Sequence, residues 1–348
     1  MTRTFRTLRD LAAALDVSVA TVSRALAGDE RIAEATRERV RGAARRHGYV
    51  PNRAAKALVS GRSGFVALAV PGRGPGKVDP FLGEFVSGLA EGLGARGLDL
   101  LLTAPAAGKP EVEVLRGLVA SRQADGIVLA RTREADERVA FLAGRGLPFV
   151  SHGRAGGIEA PFDWVDTDGA RAFGEAFDLL YGLGHRRFGL VTIAEPMSFR
   201  RDREAGLAAA IGRRGDPAVT LDVAAAPRFD DAARAAAIAR LLGRAPMPTA
   251  VLALFDGLAL DVMVEAARRG LSVPADLSVI GFDDVPAAAH ARPGLTTFDA
   301  AIHACARELA DVLAGAIAEP GRPARTHLLA APLVRRGSHG PAPGGPGA

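Results

Sequence analysis

The sequence predicts a mixed α/β protein with a small helical head at the N-terminus and a larger body of two α/β subdomains. Within the first fifty residues, three short stretches place apolar side chains at helical spacing. After residue 64, short apolar stretches alternate with amphipathic helical stretches, which is typical of parallel sheets with helices on both faces. About 270 residues of this alternation are large for one sheet, so two subdomains fit better.

Capping residues mark the helices of the head. Thr7 and Asp10 form a T-x-x-D capping box in front of the first apolar stripe. Ser18 is the expected N-cap of a second helix, and Gly28 is expected to end it. A third helix is expected over residues 34–47. The head is therefore predicted to contain three short helices.

The strands and helices of the body are predicted from the alternation of short apolar stretches with amphipathic stretches. Strands are expected over residues 65–71, 98–104, 125–130, 148–152, 188–193, 249–254, 277–284 and 326–334. Helices are expected over residues 82–96, 111–122, 134–145, 169–183, 202–214, 230–243, 257–269 and 300–318. A Gly/Pro-rich tail follows and is expected to be disordered.

The charge of the chain is concentrated in the head. The formal net charge is +5, but residues 1–62 hold 13 Lys and Arg against 6 Asp and Glu. Two interpretations are open at this point: the head meets a polyanion, or its helices simply carry a solvated charged surface.

Several classes of protein are excluded by what the sequence lacks. No apolar stretch is long enough to span a bilayer, no signal peptide is recognisable, and the single cysteine, Cys305, excludes an internal disulfide. The sequence carries no hydrolase, zinc-protease or P-loop motif, and its seven histidines lack metal-ligand spacing. We therefore expect a cytoplasmic protein that is not an enzyme, with no cofactor, no metal and no membrane partner.

Four motifs in a fixed order carry a family resemblance. They are TLRDLAAALDVSVATVSRAL, TRERV, GYVPNRAAKAL and the α/β body that follows. Together they resemble the lactose repressor/galactose repressor (LacI/GalR) family of bacterial transcriptional regulators, over nearly the whole chain. The resemblance implies a helix-turn-helix head, a hinge helix and a type I periplasmic-binding-protein-like body of two subdomains.

The resemblance implies how the head reads DNA. Val19, Ala20 and Arg24 occupy the positions that face base edges; the first two offer apolar contacts, and Arg24 offers a bidentate pair to guanine. The other residues implied to contact DNA from the head are Thr7, Ser18, Thr21 and Ser23. The alternative for Val19 and Ala20 is packing, although Val22, Ala25 and Leu26 already form the inward stripe.

Residues 51–59 resemble the hinge helix of the family, which pairs with its copy in a dimer. Leu58 occupies the position of the leucine that the family inserts into the minor groove at the operator centre. The other hinge residues implied to approach DNA are Asn52, Arg53, Ala55 and Lys56. The alternative is a simple linker in which Leu58 packs on the body. Ala27 and Ala33 depart from the family, which has asparagine and a serine cap at these positions.

The body is implied to bind a small-molecule effector between its subdomains. Arg203 in DREAGL and Asp283 in VIGFDD match effector-binding positions of the family, whereas Phe255 stands where the family has asparagine, before Asp256. Other residues predicted to face the cleft are Phe81, His152, Arg154, Trp164, Asp166 and Phe229. Trp164 and Phe229 as core residues, and His152 as a partner of a strand end, stay open as alternatives.

The predicted domains follow from these motifs. They are a head over residues 1–50, a hinge over 51–62, an effector-binding and dimerisation body over 63–337 and a tail over 338–348. Within the body we expect one subdomain over about residues 63–163 and 294–322, and the other over about 164–293 and 323–337.

The predicted function is a transcriptional regulator, most simply a repressor. It is expected to bind a palindromic operator in double-stranded DNA as a homodimer, under control of a saccharide effector. An enzyme is the first alternative, and the missing catalytic motifs argue against it. The other two alternatives are a sugar-binding protein without a regulatory role and a regulator that responds to a purine. Induction and co-repression, and dimer and tetramer, are left open by the sequence.

Overall fold

A computed structural model describes residues 7–49, 61–70, 80–105, 109–158 and 160–344, and it divides the chain into two compact units, Met1–Gly64 and Phe65–Ala348. The hinge contacts predicted at Asn52, Arg53, Ala55, Lys56 and Leu58 lie outside the described residues. No described helix is both long and apolar enough to cross a membrane.

The head contains three helices, α1 (Leu8–Leu15), α2 (Val19–Ala27) and α3 (Glu34–Arg46). The capping box predicted at the start of α1 is confirmed: Thr7 Oγ1 accepts the Asp10 amide at 3.2 Å, and Asp10 Oδ2 accepts the Thr7 amide at 3.0 Å.

The cap predicted at Ser18 is also confirmed, because its Oγ accepts the Thr21 amide at 3.0 Å. Gly28 ends α2 in a left-handed conformation with φ of 82°, which glycine adopts without steric cost.

A small apolar core holds the three helices together. It consists of Leu11, Ala12, Val22, Ala25, Val40, Ala43, Ala44 and Tyr49. Arg39 adds a polar tie between helices, since its Nη2 donates to the Leu15 carbonyl at 3.2 Å. Ala33 is the N-cap residue of α3 and, as predicted, provides no side-chain cap hydrogen bond.

The first subdomain of the body is built on a parallel six-stranded sheet in the order β11-β5-β4-β3-β1-β2. Its strands are β1 (Phe65–Ala69), β2 (Asp99–Thr103), β3 (Gly126–Leu129), β4 (Phe149–His152), β5 (Asp163–Thr167) and β11 (Thr326–Leu329). Its helices are α4 (Pro80–Ala95), α5 (Glu111–Ser121), α6 (Glu137–Ala143) and α12 (Ile302–Ala318).

The second subdomain is built on a parallel four-stranded sheet in the order β7-β6-β8-β9. Its strands are β6 (Arg187–Ile193), β7 (Thr220–Ala226), β8 (Ala250–Ala253) and β9 (Ser278–Ile280), and β10 (Thr297–Phe298) pairs antiparallel with β12 (Leu333–Val334). Its helices are α7 (Gly169–Gly182), α8 (Ser198–Arg214), α9 (Asp231–Leu242), α10 (Asp256–Arg268) and α11 (Pro286–His290).

The chain passes between the two subdomains at three places, and hydrogen bonds tie these places together. The bonds are Asp168 N to Leu329 O at 2.8 Å, Asp299 N to Pro332 O at 2.9 Å and Thr167 Oγ1 to Ala300 O at 3.2 Å. The carboxyl ends of both sheets are therefore held on either side of one cleft.

Strand β5 is the first difference from the sequence-based expectation. We did not predict a strand there, and the expected subdomain boundary at residues 163/164 falls inside it. Its first residue, Asp163, is buried, and Arg322 compensates the charge with two bonds of 2.7 and 3.1 Å. A carboxylate in a buried strand requires this distant partner, which local sequence does not reveal.

Three further segments also differ. Strand β7 was not predicted; it is an alanine-rich edge strand in which Thr220, Val223 and Ala225 are exposed. The expected strand over 326–334 is two strands that belong to different sheets, separated near Pro332. Residues 338–344 are ordered rather than a free tail: Ser338 is buried, and its Oγ donates to the Val279 carbonyl at 2.6 Å beside strand β9.

Gly206 allows α8 to lie close against α7, because the Ala170 carbonyl occupies the position where a Cβ would stand. Gly206→Ala is therefore expected to lower the free energy of unfolding by about 1–3 kcal/mol through overpacking. Gly212→Ala in the same helix is the matched control, since its Cβ would meet no atom within 4 Å. It should be neutral or stabilising by up to about 1 kcal/mol. Chemical denaturation measures both; equal losses would contradict the close-packing role.

Candidate functional site

Helix α2 presents two different faces. Val22 and Ala25 are fully buried in the head, whereas Val19 is 41% exposed and Ala20, Ser23 and Arg24 are exposed. The packing alternative for Val19 and Ala20 therefore does not hold within the head. The exposed face combines two small apolar side chains with one guanidinium, which is the chemistry that reads a thymine methyl and a guanine edge.

Three of the predicted DNA-contacting hydroxyls already make hydrogen bonds within the head itself. Ser18 Oγ and Thr21 Oγ1 are 2.8 Å apart and share a hydrogen bond. Thr7 Oγ1 is engaged in the capping box of α1. These side chains lie at helix starts, where backbone amides point outward and favour phosphate oxygens.

A cavity lies in the cleft of the body, at the carboxyl ends of the parallel strands. Ligands of open α/β sheets bind at this edge, because the loops that follow successive strands converge there. Of the ten residues predicted to bind effector, six line this cavity: Phe81, His152, Asp166, Arg203, Phe255 and Asp283.

Arg203 forms one wall of the cavity from the buried face of α8. Its Nη1 donates to the Leu254 carbonyl, its Nη2 lies 3.8 Å from Asp283, and its guanidinium stacks 3.6 Å from the centre of the Phe282 ring. Its Nε is buried without a hydrogen-bond partner among the described residues. A buried N–H in this state is costly, so the Arg203 guanidinium is only partly satisfied by the residues that the structure describes.

His152 is the last residue of β4 and lies in an aromatic stack, with its ring centre 5.3 Å from that of Phe81 and 5.4 Å from that of Phe85. Burial, together with the guanidiniums of Arg131 and Arg203, lowers the pKa of His152 to about 3. The imidazole is therefore neutral at physiological pH and offers one donor and one acceptor.

Asp166, at the end of β5, reaches the cavity and is held in place by Arg154. The Arg154 guanidinium bridges Asp166 at 3.0 Å and Asp202 at 2.8 Å, which joins the two subdomains. Burial raises the pKa of Asp166. Arg154 thus acts on the cavity through Asp166 rather than lining it. Trp164 also does not line the cavity; its ring lies 5.7 Å from the Arg154 guanidinium.

Asp256 was predicted to contact effector, but it is fully buried and does not line the cavity. Its oxygens accept hydrogen bonds from Thr297 Oγ1 at 2.5 Å and from the Val285 amide at 2.9 Å. Burial, with Asp283 nearby, raises the pKa of Asp256 to about 7. Its role is to hold together the segments that follow β8 and β9.

Phe229 lies outside the inner cavity. It is 41% exposed and lines a second cavity together with Arg133, Glu195 and Met197. It is therefore not a core residue. Arg131 lines both cavities.

Sequence reasoning missed several residues that line the inner cavity: Arg131, Thr132, Gly153, Thr167, Ser198, Phe199, Ala300 and Ile302. Arg131 is the most important of them, because its guanidinium lies 4.3 Å from the centre of the Phe81 ring at the cavity wall. Its signal was present in the sequence: it stands two residues after β3, and the carboxyl ends of parallel strands form the site.

The architecture defines a class: a helix-turn-helix head on an α/β body with a ligand cleft between two subdomains. Family comparison agrees for both parts. Residues 7–52 match the family described as "Bacterial regulatory proteins, lacI family", and residues 177–339 match a "Periplasmic binding protein-like domain".

Whole-chain relatives identify the family. The chain is 35% identical to the HTH-type transcriptional regulator AglR of Rhizobium meliloti (strain 1021) over 97% of this chain and 95% of the relative. It is 34% identical to the regulator CelR of Thermobifida fusca over 93% and 96%, and 31% identical to the repressor CytR of Escherichia coli (strain K12) over 96% of each. The chain belongs to the lacI family of bacterial regulatory proteins, which are transcriptional regulators and not enzymes.

Solved structures agree with this placement. The chain matches a transcriptional regulator CelR–cellobiose complex with a TM-score of 0.71 and 30% identity, over 96% of this chain and all of the other. It also matches the fold of a lac repressor dimer bound to operator and the anti-inducer ONPF, with a TM-score of 0.80 and 22% identity over 95% and 98%.

The raised pKa of Asp256 predicts a pH-dependent effect on stability. Because the folded-state pKa of about 7 exceeds the ordinary 3.8, folding favours the protonated carboxyl, and this contribution is lost as pH rises from about 4 to 7. Asp256→Asn removes the charge; its amide oxygen can still accept from the Val285 amide, and its NH₂ group can donate to Thr297 Oγ1. Relative to the wild type, its free energy of unfolding should rise by about 2–4 kcal/mol between pH 4.5 and pH 8. Urea titration across this range measures it; a pH-independent difference would contradict the burial of a titrating carboxyl.

Proposed function

We propose that this protein is a ligand-responsive repressor, which binds a palindromic operator as a homodimer and whose operator affinity is set by a saccharide in the inner cavity. The observation that carries the proposal is that one chain combines an outward-facing α2 surface with an inner cavity lined by the charged side chains of Arg203, Asp166 and Asp283. Such a regulator acts in the cytoplasm, where its DNA is.

The DNA-reading step would be performed by the exposed face of α2 in the major groove. Arg24 donates two parallel hydrogen bonds to a guanine edge, while Val19 and Ala20 contact thymine methyl groups. Ser18, Thr21, Ser23 and Thr7 lie around this face and position the helix on phosphates. Residues 51–59 would form the hinge that inserts Leu58 into the minor groove.

A dimer is supported by large apolar side chains exposed on the body. Leu102 lies on edge strand β2, Val223 on edge strand β7, and Val264 on α10, with exposed fractions of 49%, 53% and 53%. Apolar surface on edge strands favours association with a second chain. A two-fold dimer presents two heads to two half-sites of a palindrome.

A saccharide is supported by the chemistry of the inner cavity. The rings of Phe81, Phe199 and Phe255 form apolar parts of the wall, while the carboxyl groups of Asp166 and Asp283 and the guanidinium of Arg203 offer polar groups for hydroxyls. The neutral His152 supplies a further donor and acceptor. The similar solved structure of a CelR–cellobiose complex supports the same ligand class for this chain.

Coupling between cavity and operator would follow from the contacts between the two subdomains. Arg154 bridges Asp166 of the first subdomain and Asp202 of the second, and the Ser198 amide donates to the Thr132 carbonyl at 2.9 Å. A ligand that binds one arrangement of these contacts more tightly shifts the population toward it. The hinge segments then carry that difference to the heads.

Arg24→Ala tests the reading of DNA. It is expected to weaken operator binding and to relax preference at one base pair per half-site by about 1–3 kcal/mol, because a bidentate base contact is lost. Arg45→Ala, an exposed arginine on α3, is the matched control and should change affinity without changing base preference. Fluorescence anisotropy with a set of singly substituted operators measures both. Equal weakening on every operator would show that Arg24 contacts phosphate instead.

Arg203→Ala tests the effector site. It should abolish the change in operator affinity caused by saccharide while leaving affinity without saccharide within about twofold, because Arg203 lines the cavity and not the head. Arg203→Lys keeps the charge but loses the planar donor set, so the response should be only partly reduced.

The matched control for these variants is Arg213→Ala, an exposed arginine on the same helix, which should respond as the wild type does. Retained operator binding shows that each variant is folded. A full saccharide response in Arg203→Ala would place the effector elsewhere.

A further inference from the structure

We infer that the outer cavity, lined by Arg133, Glu195, Arg228 and Phe229, is a second sugar subsite, so that the effector is a disaccharide or longer. This inference rests on the proposed saccharide-responsive function and goes beyond it, because it assigns a second binding site and names the length of the ligand.

The two cavities are neighbours with shared walls. Arg131 lines both of them. The Arg228 guanidinium belongs to the outer cavity and lies 5.1 Å from the centre of the Phe255 ring, which belongs to the inner one. One bound molecule could therefore contact both cavities at the Arg131 and Phe255 side chains.

Two chain segments, residues 132–133 and 197–198, separate the inner cavity from the outer one. Thr132 and Ser198 face the inner cavity, whereas the adjacent Arg133 and Met197 face the outer one and form an antiparallel bridge. Successive residues of extended chains point to opposite sides, so this partition is set by backbone geometry. A ligand held on both sides would be held by both subdomains.

The outer cavity has the chemistry of a sugar subsite. Phe229 offers an aromatic face that is 41% exposed, with the Arg228 guanidinium 5.3 Å from its ring centre. Ile193 and Met197 add apolar wall, and Arg133 and Glu195 supply groups for hydroxyls. An exposed aromatic ring among paired charges is suited to the apolar face and polar rim of a pyranose.

The loop that carries Phe229 is held in place before any ligand arrives. Both carboxylate oxygens of Glu195 accept the Arg228 amide, at 2.9 and 3.1 Å. Arg234 Nη1 donates to the Arg228 carbonyl at 2.6 Å, and the Arg234 Nε lies 3.1 Å from Asp261. A preorganised loop loses little entropy on binding, so its contacts contribute to affinity.

The departure from the family at Phe255 fits the same assignment. The asparagine expected there would present a polar contact to the inner sugar unit, whereas a phenylalanine ring presents an apolar face beside Arg228. The ring stands where the two cavities meet and so packs against the link between two sugar units.

The test measures saccharide affinity of the full chain by isothermal titration, using glucose, maltose, cellobiose, trehalose and sucrose as probes. At least one disaccharide is expected to bind tenfold or more tightly than glucose. Phe229→Ala should weaken that disaccharide about fivefold to tenfold, since it removes one ring contact, and should change glucose affinity less than twofold.

Phe141→Ala is the matched control. Phe141 is also a partly exposed ring with an arginine stacked on it, Arg145 at 3.7 Å, but it lines neither cavity. Its removal should leave both affinities unchanged. Circular dichroism melting of each variant verifies that it is folded.

The outcomes separate this inference from the proposed function. If glucose binds as tightly as every disaccharide, or if Phe229→Ala weakens glucose and disaccharide equally, the second subsite is overturned while a saccharide effector stands. If no probe binds to the wild-type chain, both the saccharide effector and the subsite are overturned.

Discussion

Hydrogen bonds between the three segments that join the two subdomains are the constraint on which the site depends. Asp168 bonds to Leu329 and Asp299 to Pro332, so the ends of β5, β10 and β11 are held side by side. Because every strand of both main sheets is parallel, all the loops that follow them open toward this line. The cleft is therefore a consequence of topology: strand ends place His152 and Asp166 in it, and helix α8 adds Arg203.

Within that frame, the site is organised by buried charge. Arg203 is desolvated against Phe282 and satisfied only in part, while Asp256, close by, holds Thr297 and Val285 with a carboxyl whose pKa is raised to about 7. Removing a charge from water is costly unless it is paired, so these groups specify one arrangement of the loops. Arg203 also lines the cavity, so its charged side chain is available to a polar ligand.

Local rules were sufficient wherever a residue acts on its own neighbours. The caps at Thr7 and Ser18 and the left-handed Gly28 are found as the sequence predicts, because each depends on contacts within four residues. Strand β5 was missed because burial of Asp163 depends on Arg322, more than 150 residues away in the chain. The segment after residue 337 was expected to be disordered because it is rich in glycine and proline. In the structure Ser338 Oγ donates a hydrogen bond to the Val279 carbonyl of β9.

The sequence by itself determined the class of this protein: an outward α2 face with Val19, Ala20 and Arg24, a hinge motif and an alternating α/β body. These patterns depend on residues close together in the sequence, so they can be recognised from the sequence alone. Only the tertiary structure decided which polar residues share a cavity. In the structure Arg131 lines the inner cavity, Asp256 is buried outside it, and Phe229 lines the second cavity. These positions depend on the order in which strands distant in sequence lie in a sheet.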